Sequence, residues 1–150
     1  MTAEIESFKQ VGADGFVFGL LTPDGLVDRD NCKILLAAAE GRKCTFHRAF
    51  DELLEERMGD ELEVLIDLGF ANVLTSGGGK TAVEGTEVLK SLVERADGRI
   101  EVIVGGGVRG ENVEMLREIT GAKWFHSSAV VDGGEIASAE EVRGLGELLR

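Results

Sequence analysis

Five short apolar runs recur at nearly regular intervals along the chain. The runs begin near Gly15, Cys44, Asn72, Ile100 and Lys123. They are rich in valine, isoleucine and phenylalanine, and successive starts lie 23 to 29 residues apart, which leaves room for one strand and one crossover helix in each interval. This spacing predicts five βα units whose strands form a parallel sheet.

The segments between these runs have helical periodicity. Apolar residues return every three or four positions, so each set lies on one face of a helix. The four sets are Ile34, Leu35 and Ala38; Leu62, Leu65 and Ile66; Leu89, Leu92 and Val93; and Val113, Leu116 and Ile119. Gly12, Gly69 and Gly121 precede three of the strands, and each can take the left-handed conformation that ends a helix. A last helix is predicted to begin at Ser138, with Glu141 three residues on as in a capping box.

The predicted strands carry few charged residues, which is typical of parallel strands covered on both faces. In such sheets the chemistry collects beyond the carboxyl ends of the strands. The segments at that edge are Thr22 to Asp24, Arg48 to Asp51, Thr75 to Lys80, Gly105 to Arg109, and Ser127 to Val130. We therefore expect the functional residues in these five places.

Two neighbouring loops at this edge have the composition of an anion site. The candidate residues are Gly105, Gly106, Gly107, Arg109, Ser127 and Ser128. The glycines follow a strand and lead into a helix, so their backbone N–H groups can approach an anion at the helix N-terminus. The arginine adds positive charge, and the serines after the next strand add hydroxyl groups. A tight glycine turn without a ligand is the alternative interpretation.

The stretch Thr75–Gly85 contains the G-K-T triplet of nucleotide-binding P-loops. A P-loop also requires a glycine at position 74, where this chain has Leu74. The P-loop interpretation is therefore excluded. Thr75 and Ser76 still present two hydroxyl groups at the edge of the sheet.

Both histidines of the chain directly follow a phenylalanine, in the stretches TFHRAFDE and WFHSSA. Side chains alternate across a strand, so if Phe46 packs outward against the helices, His47 points into the space inside the sheet. The same reasoning places Phe125 outward and His126 inward. Two inward histidines are candidates for metal ligands, for acid and base groups, or for polar side chains with hydrogen-bond partners.

Arg48 and Asp51 lie where the second strand gives way to a loop. Three roles are open for them. The two side chains are candidates for an ion pair that shapes the site, and Asp51 is equally suited to act as a base or as the N-cap of a short helix. Together with His47, these residues are the candidate catalytic groups.

Composition narrows the classes of partner. The 150 residues are 43% hydrophobic and 29% charged with a single proline, which predicts one folded domain over residues 1–150. A net charge of −12 argues against nucleic acid and anionic membrane surfaces as partners.

The first ten residues lack the apolar core of a secretion signal, so we expect a cytoplasmic protein. Cys32 and Cys44 lack C-x-x-C spacing and are expected to be reduced thiols.

Five motifs stand in order along the chain and cover nearly all of it. They are GADGFVFGLLTPDGLVD at 12–28, TFHRAFD at 45–51, VLTSGG at 73–78, GGGV with EN at 105–112, and FHSSA at 125–129. In this order the motifs resemble the CutC family of copper homeostasis proteins. TFHRAFD followed by LTSGG is the most specific part of the resemblance.

The resemblance implies an α/β fold of the (β/α)8, or TIM, barrel type. The five predicted strands correspond to the fourth to eighth strands of that barrel, so the chain is expected to form a partial barrel without the first three βα units. A complete barrel typically needs ~250 residues. A partial barrel has unpaired edges and an exposed inner side, so we expect it to self-associate as a homo-oligomer.

The resemblance also implies a cytosolic function in copper homeostasis with copper as the partner. Soft Cu(I) favours thiolates, but Cys44 begins its strand at the end opposite the functional edge, which leaves His47 and His126 as candidate metal ligands. The alternative function is an enzyme acting on a small phosphorylated or anionic metabolite, in which Arg48 or Arg109 polarises the substrate. A third interpretation is an inactive truncated form.

Overall fold

The computed structural model describes residues 1–131 and 133–150. The strands are Gly15–Phe18 (β1), Lys43–Phe46 (β2), Asn72–Thr75 (β3), Glu101–Gly105 (β4) and Trp124–His126 (β5). The α-helices are Thr2–Gln10 (α1), Arg29–Ala38 (α2), Glu55–Leu68 (α3), Thr86–Ala96 (α4), Val113–Thr120 (α5) and Ala139–Leu148 (α6). A short 3₁₀ helix, Arg48–Glu52, lies between β2 and α3. In the part of the chain so described, no helix has both the length and the apolar composition needed to cross a bilayer.

The five strands form one parallel sheet in the order β1-β2-β3-β4-β5. Each strand is therefore hydrogen-bonded to the strand that follows it in the sequence, with pairings such as Val17 opposite Thr45 and Leu74 opposite Ile103. The expected five parallel βα units are confirmed. This arrangement is the architecture of a partial TIM-type barrel.

The helices cover one face of the sheet. Every crossover advances by one strand in the same direction, and right-handed crossovers of that kind place all the helices on the same side. On that side the rings of Phe18, Phe46, Phe50 and Phe70 form a cluster with centroid distances of 5.3 to 6.3 Å. Phe46 is fully buried there, so its side chain points outward against the helices as expected.

The opposite face, which would line the inside of a barrel, is open. Val17 is 65% exposed and Trp124 is 57% exposed, although both belong to strands. Thr45, Leu74 and Ile103 on the same face are partly buried. The exposed inner side expected of a partial barrel is therefore present, whereas the covering of both faces that the scarcity of charged strand residues indicated is not found in this chain by itself. Apolar residues are present on both faces, but the helices of this chain cover only the outer one.

The helix ends follow the predicted glycines. Gly69 and Gly121 end α3 and α5 in the left-handed conformation, with φ of 89° and 69°. The capping box of α6 forms in one half only. The Ser138 hydroxyl accepts a hydrogen bond from the N–H of Glu141, but the Glu141 carboxylate accepts one from the N–H of Gly110 at 2.7 Å. The glutamate thus ties α6 to the loop after β4.

Candidate functional site

The carboxyl edge of the sheet contains a network centred on the carboxylate of Asp51. This residue lies in the 3₁₀ helix that follows β2, and its side chain is 7% exposed. Oδ1 accepts hydrogen bonds from the Thr75 hydroxyl at 2.5 Å and from the N–H of Ser76 at 2.9 Å. The N–H of Gly78 donates to the same oxygen at 3.4 Å. Asp51 therefore fastens the loop after β3 to the end of β2.

The second oxygen of this carboxylate holds Arg48. Nε of Arg48 donates to Oδ2 of Asp51 at 2.6 Å, and Nη2 donates to the Ser76 hydroxyl at 3.0 Å. The predicted ion pair is thus present. Ser76 is fully buried, and its hydroxyl donates a hydrogen bond to the carbonyl of Gly79 at 2.7 Å. Two nitrogens of the guanidinium are fixed by this network, and so its plane is fixed as well.

The glycine loop after β4 packs against the side chain of Arg48. Gly106 has φ of 103°, a conformation that favours glycine. A Cβ atom at this position would lie 3.0 Å from Cβ of Ser76 and 3.4 Å from Cζ and Nη1 of Arg48. The ends of β2, β3 and β4 therefore meet around Arg48, and a larger residue at position 106 would press on the guanidinium.

Arg109, in contrast, belongs to a separate network with the serines after β5. Its Nη1 donates to the carbonyl of Val108 at 2.7 Å and to the Ser127 hydroxyl at 3.1 Å. Its Nη2 donates to the Ser128 hydroxyl at 3.2 Å and to the carbonyl of Val130 at 2.7 Å. The six residues predicted to bind an anion are thus divided between two places. Arg109 already has four protein acceptors, while Gly106 faces Arg48.

His47 has a structural partner within its own turn. Its Nδ1 accepts a hydrogen bond from the N–H of Ala49 at 3.2 Å and so caps the 3₁₀ helix. Gly19 packs closely against the ring, because a Cβ at that position would lie 2.7 Å from Nδ1. With Nδ1 as the acceptor, the neutral imidazole carries its proton on Nε2 and can donate a hydrogen bond from there.

His126 ends β5 and is exposed, whereas Phe125 before it is partly buried against the core. In the described residues, no group of three or more histidine, cysteine, aspartate or glutamate side chains is arranged to hold a metal ion.

Both cysteines are free and buried. Burial raises the pKa of the Cys32 thiol and of the Cys44 thiol above its ordinary value. The thiols are therefore protonated at neutral pH, and the thiolate is the form that binds soft metals.

Glu61 on α3 is a buried acidic residue with a structural role that was not predicted from the sequence. It is 9% exposed, and its Oε2 accepts a hydrogen bond from the N–H of Val27 at 2.9 Å. This contact fastens the loop between β1 and α2 to α3. The signal was present in the spacing, because Glu61 lies three residues after Met58 and four before Leu65, on the buried side of the helix.

Comparison with known proteins gives a consistent result along most of the chain. A sequence profile of the CutC family matches residues 1–131. The human protein named copper homeostasis protein cutC homolog is 46% identical over 129 residues, which cover 86% of this chain and 46% of the relative. The chain thus spans about half the length of the curated relatives it matches.

Solved structures agree with the fold. A CutC protein from Streptococcus agalactiae superimposes with a TM-score of 0.80 at 33% identity, covering 83% of this chain and 60% of that one. An aldolase named QR15 has a TM-score of 0.72 at 20% identity and covers 99% of this chain and 67% of its own. The likeness to the aldolase concerns the barrel architecture alone.

Proposed function

Because the chain belongs to the CutC family, we propose that it takes part in copper homeostasis. The observation that carries the proposal is the 46% identity to a human protein named for that process. We include a cytoplasmic location in the proposal, and the two free cysteines support it because disulfides are rare in that compartment.

The ligands that we propose for copper are the imidazoles of His47 and His126. His47 directly follows β2 and His126 is the last residue of β5, so both lie at the carboxyl edge of the sheet. Copper binding at Nε2 of His47 requires the ring proton to move to Nδ1, which releases the capping hydrogen bond from Ala49. Neutral imidazole nitrogen is a suitable ligand for copper. The thiols of Cys32 and Cys44 are left out of the proposed ligand set because both are buried, and Cys44 lies near the start of β2, at the end opposite the carboxyl edge.

Copper titration of two variants tests the ligand assignment. The double variant His47→Asn/His126→Ala removes both Nε2 atoms, while asparagine can still accept the capping hydrogen bond. We expect its copper affinity to fall by at least about tenfold, or about 1.4 kcal/mol. The matched control, Cys32→Ala/Cys44→Ala, should bind copper as the wild type does. Equal affinity in the histidine variant and the wild type would refute the histidine assignment.

A cellular measurement tests the role itself. In a host from which its own protein of this family has been deleted, expression of the chain is expected to restore copper tolerance. Failure to do so at a protein level matched to that of a full-length relative would count against a role for this chain in homeostasis, whatever its affinity for copper.

A further inference from the structure

Arg48 has donor capacity that the protein does not use. Its Nε and Nη2 are engaged by Asp51 and Ser76, but Nη1 donates to no acceptor among the described residues. The side chain is 43% exposed, so solvent has access to part of it. A guanidinium held at two nitrogens and open at the third has lost its conformational freedom before any ligand arrives, which lowers the cost of binding.

The carboxylate of Asp51 accepts hydrogen bonds from several groups besides Arg48. These donors are the Thr75 hydroxyl and the N–H groups of Ser76 and Gly78. The oxygens of Asp51 are therefore occupied, and the side chain is 7% exposed. An acceptor near Nη1 would interact with the guanidinium of Arg48, whose counter-ion, Asp51, already accepts hydrogen bonds from other donors.

The glycine loop places backbone beside Nη1. A Cβ atom on Gly106 would lie 3.4 Å from Nη1, so glycine is the residue that leaves this side of the guanidinium open. Gly106 and Gly107 both have positive φ, and the N–H of Gly107 donates to no acceptor in the part of the chain that is described. Successive backbone N–H groups in such a turn form a concave site for an anion.

We propose that Arg48 and the loop of Gly106 and Gly107 bind an oxyanion group of a small-molecule ligand, with Asp51 as the residue that positions Arg48. The shared chemistry is a phosphoryl or carboxylate group that accepts hydrogen bonds from Nη1 and from backbone N–H groups. The site differs from the Arg109 network, whose guanidinium nitrogens already donate to four protein acceptors. It goes beyond the copper role and does not depend on it.

Titration with inorganic phosphate and with acetate, in the presence of a metal chelator, tests this site independently of copper. The measurement is the chemical shift of backbone amides by NMR. In the wild type we expect a saturable change at Gly106 and Gly107 with at least one of the two anions. A response to phosphate alone assigns a phosphoryl ligand, a response to acetate alone assigns a carboxylate, and a response to both assigns oxyanions in general.

Variants at position 48 identify the cation. We expect Arg48→Gln to weaken the anion affinity by about tenfold or more. Arg48→Lys should weaken it less, because lysine keeps the positive charge but lacks the planar, multi-donor guanidinium group. The charge-matched control is Arg57→Gln, at an exposed position on α3, and it should leave the affinity within about twofold. Thermal unfolding of each variant shows that the fold is retained. If Arg48→Gln does not fold, the anion affinity of Arg48→Lys tests the role of Arg48.

Three results would overturn the proposal. The first is the lack of a saturable response to either anion in the wild type. The second is an unchanged affinity in the folded Arg48 variants. The third is an equal loss of affinity in Arg57→Gln, which would mean that the anion responds to the overall charge of the protein and not to Arg48.

Discussion

The Thr75 hydroxyl donates a hydrogen bond of 2.5 Å to Oδ1 of Asp51, although the two residues are 24 positions apart in the sequence. Thr75 is the last residue of β3 and is fully buried. The contact joins the carboxyl ends of two adjacent strands, and the same carboxylate holds Arg48. The geometry of the candidate site therefore depends on one buried acidic side chain.

Replacement of this carboxylate is expected to destabilise the fold. Asp51→Asn keeps the shape but removes the charge that pairs with Arg48, and it replaces one acceptor oxygen by a donor. We expect a loss of about 3 kcal/mol in the free energy of unfolding, measured with urea. Asp14→Asn, at an exposed position, should change it by less than about 0.5 kcal/mol. Similar losses in the free energy of unfolding of both variants would show that the buried carboxylate of Asp51 contributes no more to stability than an exposed one.

The buried glutamate of α3 offers a second test. Glu61→Leu leaves the N–H of Val27 without its acceptor, which should cost about 2 kcal/mol. Glu61→Gln keeps an acceptor oxygen and should cost less. Hydrogen exchange at the Val27 amide reports directly on the contact and should become faster in the leucine variant. Unchanged exchange in that variant would mean that the loop before α2 is held by other contacts.

Glu63 is expected to contribute to stability in a defined range of pH. Hydrogen bonds from Arg99 and Arg95 lower the pKa of its carboxyl group to about 2. Because the pKa is lower in the folded state, the contribution is present above the unfolded pKa of ~4.3 and is lost as the pH falls through about 2.

An NMR titration of the Glu63 carboxyl group checks this value. In Arg99→Gln the pKa should rise toward its ordinary value, because Arg99 makes two of the hydrogen bonds to this carboxylate. Salt should weaken the shift, since the group is partly exposed. Glu87→Gln on α4 is a control that should leave the pKa of Glu63 unchanged. An ordinary pKa in the wild type would contradict the ion-pair geometry.

The open inner face should cause self-association. Val17 and Trp124 expose apolar surface on the face that lines a barrel, and β1 and β5 are unpaired edges. Trp124 is the chain's one tryptophan, so its fluorescence reports on this face. We expect light scattering to show dimers or larger species, with a blue shift of the emission as concentration rises.

A charged substitution tests whether that face is the contact. Val17→Lys should shift the equilibrium toward the monomer, because burial of the new charge in the interface is costly. The control Val142→Lys changes an exposed valine of α6 and should have no such effect. A wild type that stays monomeric across micromolar concentrations would contradict the prediction.

Most of the architecture could be predicted from local patterns. The periodicity of strands and helices depends on consecutive residues. The sequence alone therefore predicts the five βα units, the left-handed Gly69 and Gly121, and the carboxyl edge of the sheet. The motif order likewise indicated the family that the comparisons show. These properties depend on neighbours in the chain, which a sequence displays directly.

The distant partners of the arginines were decided by tertiary structure. The local pair of Arg48 with Asp51 follows from the sequence, but the contact of Arg48 with Ser76 and the contacts of Arg109 with Ser127 and the carbonyl of Val130 do not. Long side chains reach in several directions, so their contacts depend on how the loops pack. The family resemblance implied an open inner side, but the apolar pattern does not show it, because apolar residues mark both faces of the sheet and only the path of the chain determines which face receives the helices.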